Sequence, residues 1–133
     1  MDNWGHHMVN AATTAAEMAA IGMGLEPDAF AKRMQHGAHL LAPTASDLIK
    51  YDVGTTFAGF HYDLNFLTVH GKNRYPGLYI WDQDFNKLAF KVPEGCLLMQ
   101  SGIQFEFLTG GYVNAGYHEV MYTQGTKDAL IRA

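Results

Sequence analysis

Residues 56–70 read Thr-Phe-Ala-Gly-Phe-His-Tyr-Asp-Leu-Asn-Phe-Leu-Thr-Val-His, two short runs of β-branched and aromatic residues either side of a His-Tyr-Asp step. Runs of this kind, broken by Gly, Asn, Asp and Pro, predict strands. They recur along the chain, giving candidates at His39–Ala42, Thr56–Phe60, Asn65–His70, Leu78–Asp82, Leu88–Val92, Leu97–Gln100, Gln104–Leu108 and Tyr117–Tyr122. Turns fall at 71–77, 83–86, 93–95 and 109–111. Eight short strands at this spacing argue for a sandwich or barrel. No helices alternate with them, which excludes a parallel α/β sheet.

The segment before the strands is different in kind. Residues 3–23 are rich in Ala and Met, contain no Pro, and place Trp4, Met8, Ala12, Ala15 and Ala19 on one face, which predicts a helix. Asp2 or Asn3 can cap its start, while Gly22 and Gly24 can end it, the second in a left-handed turn. A shorter helix follows Pro27, with Phe30 and Met34 one turn apart. The tail, Thr126–Ala133, reads as the opening of another helix with Thr126 as its cap, a sign that the natural protein continues. Residues 1–36 are thus a helical scaffold and 37–133 a β core, expected as one domain without repeats or linkers.

With 133 residues, 48% of them hydrophobic, and eight Phe, seven Tyr and two Trp, the chain has enough apolar material for a core, and disorder is excluded. Its net charge is −4, with no basic run longer than Lys32-Arg33, so no nucleic-acid or anionic-membrane partner is expected. Cys96 is the single cysteine. It has no partner for an internal disulfide or a zinc knuckle, which fits a reducing compartment and leaves metal binding to His and carboxylates. The apolar run Ala11–Leu25 contains Glu17, follows no Lys or Arg, and is short for a bilayer. A cytoplasmic location is the expectation.

His61 and Asp63 are two residues apart at a strand end, and His118 opens another strand 57 residues after His61. On a strand, residues i and i+2 share a face, so His61 and Asp63 can reach one point while Tyr62 points away. Two imidazoles and one carboxylate on one side of a metal leave its other positions open, the arrangement non-haem Fe(II) enzymes use. Spacing alone does not separate this reading from a chance His-x-Asp pair among seven histidines.

The surroundings add a resemblance. From Phe57 to Tyr122 the chain resembles the Fe(II)/2-oxoglutarate-dependent oxygenases of the isopenicillin N synthase-like and clavaminate synthase-like type. The matching pieces are His61-x-Asp63 followed by Leu67-Thr68, then Gly77-Leu78-Tyr79-Ile80 and Val92-Pro93-Glu94-Gly95-Cys96-Leu97-Leu98-Met99-Gln100-Ser101-Gly102. Leu108-Thr109-Gly110-Gly111 and His118-Glu119-Val120 follow, with Thr109 nine residues before His118 as in the family. The resemblance implies a double-stranded β-helix (jelly roll), mainly β behind N-terminal helices and incomplete at the C-terminus. It also implies Fe(II) held by His61, Asp63 and His118, with 2-oxoglutarate and O₂ as cosubstrates. The implied reaction couples decarboxylation of 2-oxoglutarate to hydroxylation or oxidation of a small organic molecule.

Some positions depart from the family. Plant-type members carry an Arg-x-Ser about ten residues past the distal histidine, a bidentate clamp for the far carboxylate of 2-oxoglutarate. Asp128 stands there in this chain, which places the clamp beyond Ala133, with Arg132 a poor substitute. Leu41-Ala42-Pro43 replaces a tyrosine-proline motif, and Glu119 stands where an arginine often follows the histidine.

The remaining polar residues have simpler readings. His6 and His7 are expected at a helix surface, His36 and His39 in a loop, His70 at a capped strand end with the pocket mouth as the alternative, and Glu106 in solvent opposite Phe105 and Phe107. Met8, Met18, Met23 and Met34 read as core filling, and Cys96 as a small buried hydrophobe. Tyr62, Asn65, Tyr79 and Trp81 are candidates to line a substrate pocket. The competing function is a non-catalytic metal-binding jelly-roll module or an inactive fragment.

Overall fold

The first helix, α1 (Asp2–Gly22), forms because an Ala-rich run without β-branched clusters or Pro loses little side-chain freedom on coiling. Its buried positions are Ala12, Ala16 and Ala20, one turn apart, so small side chains make the packed stripe and Trp4 stays exposed. Gly24 ends the helix with φ +72°, and Leu25 N–H donates to the Ala20 carbonyl (2.9 Å). A single turn, α2 (Ala31–Met34), follows the buried Phe30. Met8, Met23 and Met34 are half-buried, but Met18 is exposed, so the methionine face fills the packed side only in part.

The computed structural model describes residues 2–71 and 75–131. It divides into two compact units, Met1–Thr44 and Ala45–Ala133, a boundary later than the change of pattern at residue 36. In the first unit the predicted strand His39–Ala42 is instead irregular and exposed, because no neighbouring strand pairs with it.

Among the described residues the second unit holds six strands: β1 (Thr56–His61), β2 (Leu67–His70), β3 (Leu78–Trp81), β4 (Lys87–Ala89), β5 (Leu98–Ser101) and β6 (His118–Met121). They form two antiparallel sheets, one with the order β1-β6-β3-β4 and the other pairing β2 with β5. Two helices complete the unit, α3 (Ile103–Leu108) and α4 (Gln124–Ile131). The α3 segment corrects the strand predicted at Gln104–Leu108. Its alternation of Phe105, Glu106 and Phe107 has the period of a strand, yet Phe105 is buried and Phe107 is 85% exposed. Thr109 and the left-handed Gly110 and Gly111 after it end a helical turn.

β6 lies between β1 and β3, so His118 has a neighbour on each side: it is opposite His61 in one ladder and Ile80 in the other. Register shifts between Thr56 and Ala58, and between Ala58 and His61, bend β1 and bring His61 level with His118. α4 starts one turn earlier than its sequence suggests. Thr123 caps it by accepting the Thr126 N–H (3.2 Å), and buried Thr126 donates its hydroxyl to the Pro76 carbonyl (2.6 Å). Cys96, expected to be buried, is exposed in the turn before β5.

Gly77 is fixed by geometry. It has φ +134°, its carbonyl accepts the Met121 N–H (2.9 Å), and a Cβ there would collide with the Met121 carbonyl oxygen. Gly77→Ala is therefore expected to pry β3 from β6 and lower stability by about 2–3 kcal/mol. Urea denaturation followed by circular dichroism checks this; an unchanged midpoint would contradict it.

Candidate metal centre

His61 ends β1, His118 begins β6, and Asp63 lies in the irregular step just after β1. Asp63 therefore reaches the histidines through a turn and not through strand alternation, as the sequence suggested. The step is held by α3: Ile103 N–H donates to the Asp63 carbonyl (2.9 Å), Gln104 N–H to the Asn65 carbonyl (3.1 Å) and Gly102 N–H to the Phe66 carbonyl (3.0 Å). So close is this docking that a Cβ on Gly102 would collide with the Asn65 carbonyl oxygen.

Each ligand-type side chain is oriented by a bond at its far atom. His61 Nδ1 is 2.6 Å from the Gly59 carbonyl oxygen, and His118 Nδ1 is 3.1 Å from that of Gly116. A carbonyl can only accept, so both Nδ1 atoms carry a proton, and in the neutral imidazole both Nε2 atoms then present a lone pair. Asp63 Oδ2 accepts the Thr68 hydroxyl (2.5 Å), which in turn accepts from Asn65 Nδ2 (2.8 Å). Asp63 Oδ1 is then turned to the histidines, 3.7 Å from His61 Nε2 and 4.0 Å from His118 Nε2.

These three residues are the group of His, Cys, Asp or Glu among the described residues placed to hold a metal ion, their ligand atoms lying within 4.8 Å of one another. Ligands at about 2.1 Å and right angles would be roughly 3 Å apart, so closing on a divalent ion needs side-chain shifts of under about 1 Å. The donor set, two neutral imidazoles and a carboxylate, suits ferrous iron. Exposure rises across the group: the His118 side chain is 4% exposed, Asp63 21% and His61 41%. A metal here would be reached from the His61 side.

His118 is set by a second clamp. Glu106, expected in solvent, accepts the Ala115 N–H on Oε2 (2.7 Å). Ser101 donates its hydroxyl to the Asn114 carbonyl (2.7 Å), and its own carbonyl accepts the Gly116 N–H (2.8 Å). Thr109 Oγ1 accepts the Val113 N–H (3.1 Å). Glu106 could have been found in the sequence only by reading its segment as a helix, which turns it toward the following loop.

His70 ends β2, as its sequence position suggests, but it also faces the triad. Its ring meets that of His118 edge-on, with centroids 5.6 Å apart. Burial, and then the facing His118, push its pKa below the ordinary imidazole value, against the pull of Asp63.

Of the four pocket candidates, Asn65 joins the network through Thr68. Ile80 is opposite His118, so alternation puts Tyr79 and Trp81 on the other face of the sheet. There Lys87 lies over both rings, 4.4 and 5.5 Å from their centroids, and pairs with Glu119. Tyr62 packs edge-on against Tyr117 (5.3 Å). His6, His7, His36 and His39 are exposed, and none belongs to the metal-holding group found among the described residues. Asp128 accepts from Gln124 within α4 (2.8 Å), and Arg132 lies outside the described residues. No helix among the described residues is long and apolar enough to cross a membrane.

No family model and no curated protein matches the chain. Solved structures do. The C-terminally truncated T7H of Neurospora crassa, in apo form, is similar over 94% of this chain and 46% of its own, with TM-score 0.75 and 16% identity. A Caulobacter crescentus protein assigned to the 2OG-Fe(II) oxygenase family is similar over 92% of this chain and 40% of its own, with TM-score 0.72 and 24% identity. A Shewanella oneidensis protein assigned as an oxygenase matches 58% of this chain and 29% of its own, with TM-score 0.51 and 26% identity. The chain thus spans less than half the length of these structures, and over that part it has the fold of double-stranded β-helix oxygenases.

Thr68 is the residue that the His-x-Asp pattern alone does not reveal. Removing its hydroxyl frees Asp63 to rotate, so Thr68→Val is expected to weaken metal binding by about 10- to 100-fold, whereas Thr68→Ser retains it. Calorimetric titration with Co(II) checks this, and equal affinity in Thr68→Val would remove Thr68 from the site.

Proposed function

We propose that His61, Asp63 and His118 bind Fe(II) and that the chain is the metal-binding part of a 2-oxoglutarate-dependent oxygenase acting on a small organic substrate. The observation that carries this is the common aim of His61 Nε2, Asp63 Oδ1 and His118 Nε2, each fixed by a hydrogen bond at its far atom. Support comes from the fold: full-length Neurospora crassa T7H, 13% identical over 93% of this chain, has been solved with alpha-KG, and also with alpha-KG and thymine or 5-formyluracil.

When bound, iron with 2-oxoglutarate and O₂ would supply the oxidising power: one oxygen atom ends in succinate, the other in the substrate, and CO₂ leaves. The chain's residues supply position. Three ligands on one side leave the remaining positions free for exchangeable groups. The near-complete burial of His118 keeps water from its side of the centre, and the exposure of His61 marks the side of entry. Asp63 offsets part of the metal's charge, while Thr68 keeps its second oxygen from chelating.

A second reading is favoured by Asp128, which stands where plant-type relatives have the arginine clamp: a metal-binding module without turnover. The two readings divide on one experiment. Under anaerobic conditions Fe(II) and 2-oxoglutarate together should give a visible charge-transfer band that neither gives alone and that His61→Ala abolishes. Admitting O₂ should then yield succinate. Metal-dependent melting with neither band nor succinate would favour the module.

A further inference from the structure

β2 carries a second imidazole-bearing position on the metal's face. Thr68 and His70 are two residues apart on this strand and share a face, and the Thr68 hydroxyl is bonded to Asp63. That face therefore looks toward the triad, as the edge-on contact between the His70 and His118 rings also shows. Gln100, on β5, is opposite Thr68 and buried.

Among the described residues, His70 Nε2 and Gln100 Oε1 are the buried side-chain atoms that have no hydrogen-bond partner. They belong to facing strands, beside the same metal group. Leaving a buried polar atom unpaired costs about 1–3 kcal/mol; the Gln100 side chain is near enough to raise the His70 pKa as a hydrogen-bond partner, yet neither atom completes a bond, so the place suits a group that pairs with both. The hydrogen bonds of the triad itself are complete without either residue.

We propose that His70 is a ligand-contacting residue of the centre, its Nε2–H donating to a carboxylate oxygen of a 2-oxo acid held at the metal's open positions, with the Gln100 amide beside it as the neighbouring polar contact. This rests on the oxygenase reading above and adds to it a residue that the metal-ligand pattern does not contain. A carboxylate suits the place because it accepts hydrogen bonds and carries the charge that a ferrous ion attracts. A bridging water would satisfy the same atoms without any tie to the cosubstrate. The two occupants predict different binding curves.

The test is an anaerobic titration of the Fe(II)-loaded chain with 2-oxoglutarate, following the charge-transfer band in the unsubstituted protein, His70→Leu and His70→Gln. Fe(II) affinity is measured first, as the check that each variant folds its centre. The expected result is unchanged Fe(II) affinity throughout. The half-saturating 2-oxoglutarate concentration should rise about tenfold in His70→Leu and largely recover in His70→Gln, which keeps a donor. Equal half-saturation in all three overturns the inference and leaves the oxygenase reading standing, and so does a parallel loss of Fe(II) affinity. No band in the unsubstituted protein overturns the oxygenase reading, and this proposal with it.

Discussion

Two backbone carbonyls decide what the centre can do. Gly59 and Gly116 each accept from the Nδ1 of the histidine two residues later, which fixes the tautomer, the ring plane and the direction of the remaining lone pair. Without those bonds His61 and His118 would be facing rings on neighbouring strands, 4.2 Å apart and free to turn. With them, both Nε2 atoms aim at Asp63 Oδ1. The two histidines solve one problem in one way from different strands, each through the carbonyl of the glycine two residues before it.

The sheets hold these short-range bonds in place. β6 is paired on both sides, so the buried His118 is the rigid member of the group. β1 is irregular in its pairing with β6, and His61 is the exposed member. Between them, Asp63 is tied twice: by its carbonyl to α3 and by its carboxylate to Thr68. The docking of the 63–66 step onto Gly102, Ile103 and Gln104 couples the metal group to the helix whose Glu106 also sets the loop before His118. One short helix thus positions both halves of the site, which explains why Gly102, between β5 and α3, has no room for a side chain.

Much of this was legible in the amino-acid sequence because it depends on local pattern. The strands around His61-x-Asp63 and His118, the left-handed Gly24 and the order of helices before strands follow from residue type and spacing. What was not legible depends on tertiary partners. The Phe105–Phe107 alternation has the period of a strand in a segment that folds as a helix, and only contact with the 63–66 step decides between them. His39–Ala42 has strand-like residues but no strand to pair with. Cys96 has an apolar sequence context yet lies on an exposed turn. Thr68 and Glu106 are ordinary residues whose roles come from what they bond, and His70 is distinguished from a surface histidine by its burial and by the ring of His118 against it.

The most direct test of the account is where a metal goes. Crystals of the chain grown anaerobically with Fe(II), with anomalous diffraction recorded at the iron edge, should show one strong peak per chain, about 2.1 Å from His61 Nε2, Asp63 Oδ1 and His118 Nε2. A peak bound elsewhere, or an iron-soaked chain with no peak between those three atoms, would contradict it.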